Sequence, residues 1–133
     1  MVARYHLDTD FLVLATSHRR GDEHDHLLTL LRSKAFVEVS AIVWYEFVRG
    51  PRSLEVLAVA RSLFGDNGVL PFDEAIAERA GNLFRSSVAT RRRAADLAIA
   101  AHAISRRATL LTNNPRDYAG IEGLTVETAS SDT

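Results

Sequence analysis

The sequence has no cysteine, a single lysine and no long apolar run, and these absences bound what the protein can be. Without cysteine the chain has neither disulfide bonds nor thiolate metal ligands. No apolar stretch approaches the roughly 20 residues that cross a bilayer. Asp8 and Asp10 also interrupt the segment in which a signal peptide would have its apolar region. We therefore expect a cytoplasmic protein that has no membrane association.

The net charge of −1 neither predicts nor excludes nucleic-acid binding. Of the 16 basic residues only Lys34 is a lysine. Arginine offers a planar fork of donors that suits phosphate, although a GC-rich genome produces the same bias. Three arginine clusters, at residues 19–20, 91–93 and 106–107, would still form local basic surfaces.

The composition, 47% hydrophobic and 25% charged, is typical of a globular protein. A chain of 133 residues is long enough for one hydrophobic core but not for two. We expect a single domain over residues 1–128 and a frayed tail over residues 129–133.

Segments typical of strands alternate with helical segments. Strands are predicted at residues 4–7, 35–40, 69–72, 108–112 and 124–127. Helices are predicted at residues 11–18, 41–50, 53–64, 74–89 and 94–107, and a further helix follows the turn at 21–26 and runs through Arg32. Ser40 and Asp73 are the predicted caps of the helices at 41–50 and 74–89. This alternation predicts an α/β sandwich around a mostly parallel sheet, in which sites form beyond the carboxyl ends of the strands.

Three carboxylates stand alone in apolar surroundings. Asp8 follows the first strand, Glu46 is the only acid of AIVWYEFV, and Asp96 is the only acid of AADLAIAAHAI. Taken singly, Asp8 is explained as a turn or helix cap and Asp96 as a complement to a helix dipole. Glu46 would pair with Arg49 on the next turn. In a parallel sheet, however, all three can converge on the edge where the strands end, so we expect one shared site.

Converging carboxylates repel one another, and two of them about 4 Å apart cost on the order of 4 kcal/mol at an effective dielectric of 20. They must share protons or hold a cation. Oxygen ligands without cysteine favour Mg²⁺ or Mn²⁺. Zinc is disfavoured because the spacings of His6, His24 and His26 do not form a tetrahedral set.

Four segments, in order, resemble the motifs of PIN-domain ribonucleases, specifically the VapC-type toxins of bacterial type II toxin–antitoxin systems. They are HLDTDFLVLA, VSAIVWYEFVRG, AADLAIAAHAI and ATLLTNNPRDYAGIEGLTV, which together cover nearly the whole chain. The resemblance implies a three-layer α/β/α sandwich with a short, mostly parallel sheet of four to five strands. It also implies an endoribonuclease that uses Mg²⁺ or Mn²⁺ and leaves 5′-phosphate and 3′-hydroxyl ends.

By this resemblance, Asp8, Glu46 and Asp96 form the acidic core and hold the metal. A fourth position falls on Asn114, with Asp117 as the alternative acid. The metal would activate a water for in-line attack on phosphorus, and Glu46 or Asp96 would accept the proton of that water.

Other residues of these motifs carry weaker assignments. Thr112 matches a hydroxyl that contacts the site or its water. Asp10 stands where the family often has Asn or Ser, so it joins the cluster or caps the next helix. We predict that some of the arginines that precede Asp96 contact RNA phosphates, although a solvated run on a helix end explains them equally well. These arginines are Arg91, Arg92 and Arg93.

Aromatic side chains in the same motifs could stack on unpaired bases. The candidates are Trp44, Tyr45 and Tyr118, and core packing is the better explanation for Trp44 and Tyr45.

The resemblance further implies a VapB-type antitoxin whose C-terminal segment covers the acidic crevice. It implies a homodimer as well, or a heterotetramer or larger assembly with the antitoxin. The apolar segments 41–48 and 54–64 are candidates for these interfaces, and core packing would explain them too.

Two other functions fit parts of the sequence. Asp8-x-Asp10 also fits a haloacid-dehalogenase-like phosphatase, but that fold needs a later lysine than Lys34 and a longer chain. The chain could instead be an RNA-binding module with a PIN fold and no turnover, because the fourth acidic position is uncertain. We expect the nuclease.

Overall fold

The computed structural model describes residues 2–87 and 91–129, and for Arg91 only the backbone. These residues form one five-stranded sheet in the order β3-β2-β1-β4-β5, and all pairs of neighbouring strands are parallel. The strands are β1 (Arg4–Leu7), β2 (Phe36–Ser40), β3 (Val69–Leu70), β4 (Thr109–Leu111) and β5 (Thr125–Glu127). The predicted α/β fold with a parallel sheet is confirmed.

Six α-helices flank the sheet within these residues. They are α1 (Thr9–Ala15), α2 (Asp22–Arg32), α3 (Ala41–Arg49), α4 (Leu54–Phe64), α5 (Glu74–Ser86) and α6 (Ala94–Ser105). Two short 3₁₀ turns lie at Arg91–Arg93 and Pro115–Tyr118. None of the helices that the structure describes is long and apolar enough to cross a membrane.

Side-chain caps set most helix starts. Ser40 accepts a hydrogen bond from the backbone N–H of Val43, and Asp73 accepts one from Ile76, so both predicted caps are confirmed. The first helix was predicted too late, because α1 begins at Thr9 rather than at residue 11. Asp8 caps it and thereby allows the helix to start directly after β1.

Several predicted ends were also wrong. Helix α1 stops at Ala15, three residues early, where the Thr16 hydroxyl donates back to the carbonyl of Leu12. Helix α6 ends at Ser105, and Arg107 has a left-handed backbone (φ 54°) that no α-helix continues. The predicted residues 88–89 of α5 and most of the predicted tail, residues 130–133, lie outside the described residues.

The core lies on both faces of the central strand β1. Leu7 is fully buried and stands opposite Leu111 of β4 in the ladder. Phe11 and Phe47, both fully buried, bring α1 and α3 against the sheet. Burial of each such side chain contributes roughly 1.5–3 kcal/mol. Because Leu7 and Phe11 are both fully buried, packing helps to fix the position of the turn between β1 and α1.

A buried polar network joins β1, β2 and the end of α6. Glu38 of β2 accepts hydrogen bonds from Arg4 (2.7 Å) and Arg106 (2.9 Å) and lies 2.9 Å from a ring nitrogen of His6. Burial raises the pKa of Glu38, but the hydrogen bonds from His6 and Arg106 outweigh this effect and hold the pKa at about 2. The buried acid is thus fully compensated.

His102 of α6 packs edge-on against His6, with ring centroids 5.3 Å apart. Burial, together with the charges of His6 and Arg106, lowers the pKa of His102 to about 4 from its ordinary 6.5. Between these two pH values the unfolded chain binds a proton at His102 that the folded chain does not bind. The free energy of unfolding therefore decreases as the pH falls through this window.

We predict that His102→Gln reduces the loss of unfolding free energy between pH 6.5 and about pH 5 by roughly 1–2 kcal/mol, because this protonation no longer contributes. Urea unfolding at a series of pH values measures the effect. His18→Gln is the matched control, since His18 is exposed. An unchanged pH slope in His102→Gln would contradict the assignment.

Candidate functional site

The predicted site residues meet at the carboxyl edge of the sheet. Five of them line a cavity of about 240 Å³, which receives side chains from the turn after β1, from α1, α3 and α6, and from residues 114–118. Its lining is Asp8, Thr9, Asp10, Glu46, Arg49, Asp96, Ile99, Asn114, Asp117 and Tyr118. Five of the ten are carboxylates, which is the convergence that the isolated acids predicted.

Asp8 occupies the turn between β1 and α1 and is 6% exposed. Its Oδ1 accepts a hydrogen bond from the backbone N–H of Phe11 at 2.9 Å, so it is the predicted helix cap as well as a member of the cluster. The Tyr118 hydroxyl donates to Oδ2 at 3.5 Å. Burial raises the pKa of Asp8, while the hydroxyl of Thr112 and the N–H of Phe11 oppose the shift.

Glu46 enters the cavity from α3. The hydroxyl of Thr9 donates to its Oε1 at 2.5 Å and fixes the direction of the carboxylate. Arg49, one turn further along α3, lies 3.9 Å from Oε2. The predicted Glu46–Arg49 pair is present, but Glu46 is less buried than its apolar segment suggested, with a side chain 20% exposed.

Asp96 sits in the first turn of α6, as predicted. Burial, together with the negative charges of Asp117, Asp8 and Glu46, raises its pKa from 3.8 to about 6, and Arg93 opposes this shift only in part. The four carboxylates therefore share one electrostatic environment that is not neutralised by the protein.

The fourth position is occupied by two neighbours. Asn114 and Asp117 both line the cavity, and the amide of Asn114 lies 3.4 Å from Asp10. Asp117 is the residue whose charge acts most strongly on Asp96. Thr112 is fully buried behind the cavity, where its hydroxyl accepts a hydrogen bond from the backbone N–H of Asn114 at 3.0 Å. Thr112 therefore positions the loop that carries Asn114, and its hydroxyl also contacts Asp8.

The three arginines before Asp96 form the 3₁₀ turn that leads into α6. Arg93 donates to the backbone carbonyl of Asp117 at 2.8 Å, and Arg92 is exposed. The side chain of Arg91 lies outside the described part of the chain. Their contacts with RNA remain a prediction.

The aromatic candidates separate clearly. Trp44 stacks on Phe47 in the core, as expected, with ring centroids 5.7 Å apart. Tyr45 is 61% exposed, so the prediction that it packs in the core was wrong, because it lies on the outward face of α3. Tyr118 is 4% exposed and packs under Asp8, which removes it from base stacking.

Sequence reasoning missed two contacts on the acids. Thr9 holds Glu46, and the hydroxyl of Tyr118 holds Asp8. Thr9 directly follows Asp8 in DTD, and this adjacency was the available signal. The contact between Tyr118 and Asp8 joins residues 110 positions apart, and no local sequence pattern predicts it.

The donor set fits a hard divalent cation. All its donors are oxygen atoms, and the pKa of Asp96 is raised by burial and then by neighbouring carboxylates, whose repulsion such an ion would relieve. As the side chains stand, no three His, Asp or Glu residues within 2–87 and 91–129 are close enough to hold a metal together. The metal-binding set Asp8, Glu46 and Asp96 therefore stays a prediction.

The fold is that of a parallel α/β protein, and its candidate site is a cavity lined by five carboxylates at the carboxyl edge of the sheet. The sequence model of the PIN domain matches residues 5–122, and the chain belongs to this family. PIN domains of VapC-type toxins are nucleases, that is, hydrolases. No curated protein sequence matches the chain significantly.

Solved structures similar to this chain are of toxin–antitoxin complexes. DNA-bound VapBC from Salmonella typhimurium contains a chain that is 25% identical, with 98% of this chain and 100% of that chain covered and a TM-score of 0.74. A toxin–antitoxin complex from Klebsiella pneumoniae matches at 26% identity over 96% and 99%, with a TM-score of 0.73. VapBC2 from Rickettsia felis, bound to promoter DNA, is 24% identical over 94% and 98% with a TM-score of 0.71, which shows the fold. The resemblance to VapC-type PIN domains is confirmed.

We predict that Asp96→Asn stabilises the metal-free protein. With the pKa raised to about 6, ionisation of Asp96 destabilises the folded state increasingly as the pH rises from 3.8, and fully above 6. The gain in unfolding free energy at pH above 7 should be roughly 1 kcal/mol, after a discount for solvent screening of this partly exposed group. Thermal or urea unfolding in EDTA measures it.

Asp66→Asn, which removes an exposed acid outside the cavity, should leave the unfolding free energy unchanged. Added Mg²⁺ should stabilise wild type more than Asp96→Asn. A less stable Asp96→Asn in EDTA would show that the carboxylate is compensated.

Proposed function

We propose that this protein is a divalent-metal-dependent endoribonuclease and the toxin of a VapBC-type pair. One observation carries the proposal. Five carboxylates, which the sequence keeps up to 109 positions apart between Asp8 and Asp117, line one cavity at the carboxyl edge of a PIN-family sheet. A protein gains no stability from such a cluster, since uncompensated like charges repel.

Each acid has a distinct contribution. Asp8, Asp96 and Glu46 supply the oxygen ligands for Mg²⁺ or Mn²⁺. Such an ion, when bound, lowers the pKa of a water and offsets the charge of a phosphodiester. Glu46, oriented by Thr9, accepts the proton of the attacking water. Asn114 and Asp117 border the same space, and Thr112 secures the loop that carries them.

The alternative functions find less support. Membership of the PIN family over residues 5–122 favours hydrolysis by a metal-activated water over the phosphatase mechanism. In that mechanism Asp10 would be the acid/base, yet Asp10 is exposed and faces Asn114. The inactive RNA-binding module differs from the nuclease only in turnover, which an assay decides.

We predict that the purified chain cleaves single-stranded RNA with Mg²⁺ or Mn²⁺ and is inactive in EDTA. Asp8→Asn and Asp96→Asn should each lower the rate about 100-fold or more. Each removes a charged ligand, and the loss of a residue that merely orients a ligand already costs about 10–100-fold. Gel-resolved cleavage of a labelled RNA measures the rates.

Asp66→Asn is the matched control and should cut RNA like wild type, since Asp66 is exposed and does not line the cavity. Circular dichroism verifies that each variant is folded. Wild-type protein that binds RNA but never cuts it would identify the inactive module. Full activity in Asp8→Asn would show that the assigned site is wrong.

The partner surface we propose is an apolar groove of about 360 Å³ between the end of α1, α2 and α4. Its apolar lining includes Leu27, Leu28, Leu31, Val56, Val59 and Leu63. Similar chains occur in complexes with antitoxins, and a groove of this kind accepts the apolar face of a helix. A VapB-type segment would dock there and continue over the acidic cavity. A homodimer, or a larger assembly with the antitoxin, is part of the same proposal.

We predict that Val59→Asp prevents co-purification with a VapB-type antitoxin that binds the wild-type chain, and leaves RNA cleavage intact. Val59 is 53% exposed in the free chain, and a charge there would be buried unpaired in the complex. Val2→Asp, at an equally exposed valine outside the groove, is the control. An undiminished complex with Val59→Asp would place the partner elsewhere.

A further inference from the structure

The acidic cavity poses an electrostatic problem for RNA. Five carboxylates line it, and Arg49 is the only basic side chain in the described lining. A nucleic-acid strand carries a negative charge at every phosphate, so the same field that attracts a cation repels the substrate. The position of Arg49 is therefore informative.

Arg49 is available to bind an anion. Its guanidinium lies 3.9 Å from the carboxylate of Glu46, which is longer than a hydrogen bond. Its side chain is 59% exposed. A phosphate that reaches the cavity therefore meets a cation with free donors directly beside the acids, and the planar fork of arginine suits phosphate oxygens.

Tyr45 lies one turn before Arg49 in α3 and contacts its side chain. The Arg49 guanidinium lies over the Tyr45 ring, 5.2 Å from its centroid. The other two aromatic residues of the helix, Trp44 and Phe47, stack on each other in the core, whereas Tyr45 leaves 61% of its surface in water. An exposed ring with an arginine of the cavity lining over it can present its other face to a base.

We propose that Arg49 and Tyr45 form a subsite for unpaired RNA at the rim of the acidic cavity. Arg49 binds a phosphate next to the one that is cut, and Tyr45 stacks on a flanking base. Stacking of this kind needs a base that is out of the helix, so the subsite selects single strands and loops over duplexes. The inference rests on the proposed ribonuclease function and adds the residues that hold the strand beside the cut.

Binding to catalytically blocked protein isolates the subsite from turnover. In the Asp8→Asn background with Mg²⁺, fluorescence anisotropy follows a short labelled single-stranded RNA. Arg49→Gln should weaken binding about 10-fold and lower the salt dependence by roughly one phosphate contact. Tyr45→Leu should weaken it by about 10-fold with an unchanged salt dependence, as expected for stacking.

Conservative variants separate the two roles. Tyr45→Phe should bind like its parent, because the ring is kept, and Arg49→Lys should retain the salt dependence. Arg79→Gln, at an exposed arginine of α5, is the matched control and should change nothing. Duplex RNA of the same sequence should bind equally to Tyr45→Leu and its parent.

Two results would overturn the proposal. One is unchanged RNA affinity in both Arg49→Gln and Tyr45→Leu. The other is a shift of oligomeric state on sedimentation of Tyr45→Leu, which would assign this face to a protein interface. Failure of the ribonuclease proposal looks different, since wild type would then leave RNA uncut while the effects of Arg49→Gln and Tyr45→Leu on binding persist.

Discussion

Mutual repulsion of carboxylates at the carboxyl edge of the sheet is the constraint on which the site depends. Asp8 is placed there by the end of β1, Glu46 by α3 and Asp96 by α6, so three separate elements bring negative charge to one cavity. The pKa of Asp96, raised to about 6, shows that the protein does not neutralise the cluster. Such an arrangement is stable only because the core holds it.

A second buried acid shows what compensation looks like in the same fold. Glu38 meets Arg4, Arg106 and His6, and its pKa is held at about 2. Both acids are partly removed from water, yet their pKa values move in opposite directions. The difference lies in the partners, which are two arginines and a histidine for Glu38 and further carboxylates for Asp96. A lowered pKa marks Glu38 as a compensated structural acid, and a raised pKa marks Asp96 as a candidate functional acid.

The sequence predicted the order of elements and the convergence of the acids. Lone carboxylates in apolar segments are a local pattern, and the alternation of strands with helices predicts a parallel sheet whose strands end at one edge. The start of α1 was missed, since capping by Asp8 depends on where β1 ends. Contacts such as Tyr118 with Asp8, and the network around Glu38, join distant segments and follow only from the packed fold. The outward position of Tyr45 was likewise decided by which face of α3 meets the core.

The most direct test of the uncompensated cluster is a ¹³C NMR titration of the Asp96 carboxyl in metal-free protein. The structure predicts a midpoint near pH 6 that falls sharply when Mg²⁺ is added, because the ion would favour the ionised form. A midpoint near the ordinary 3.8, insensitive to Mg²⁺, would mean that the acids do not form one charged site.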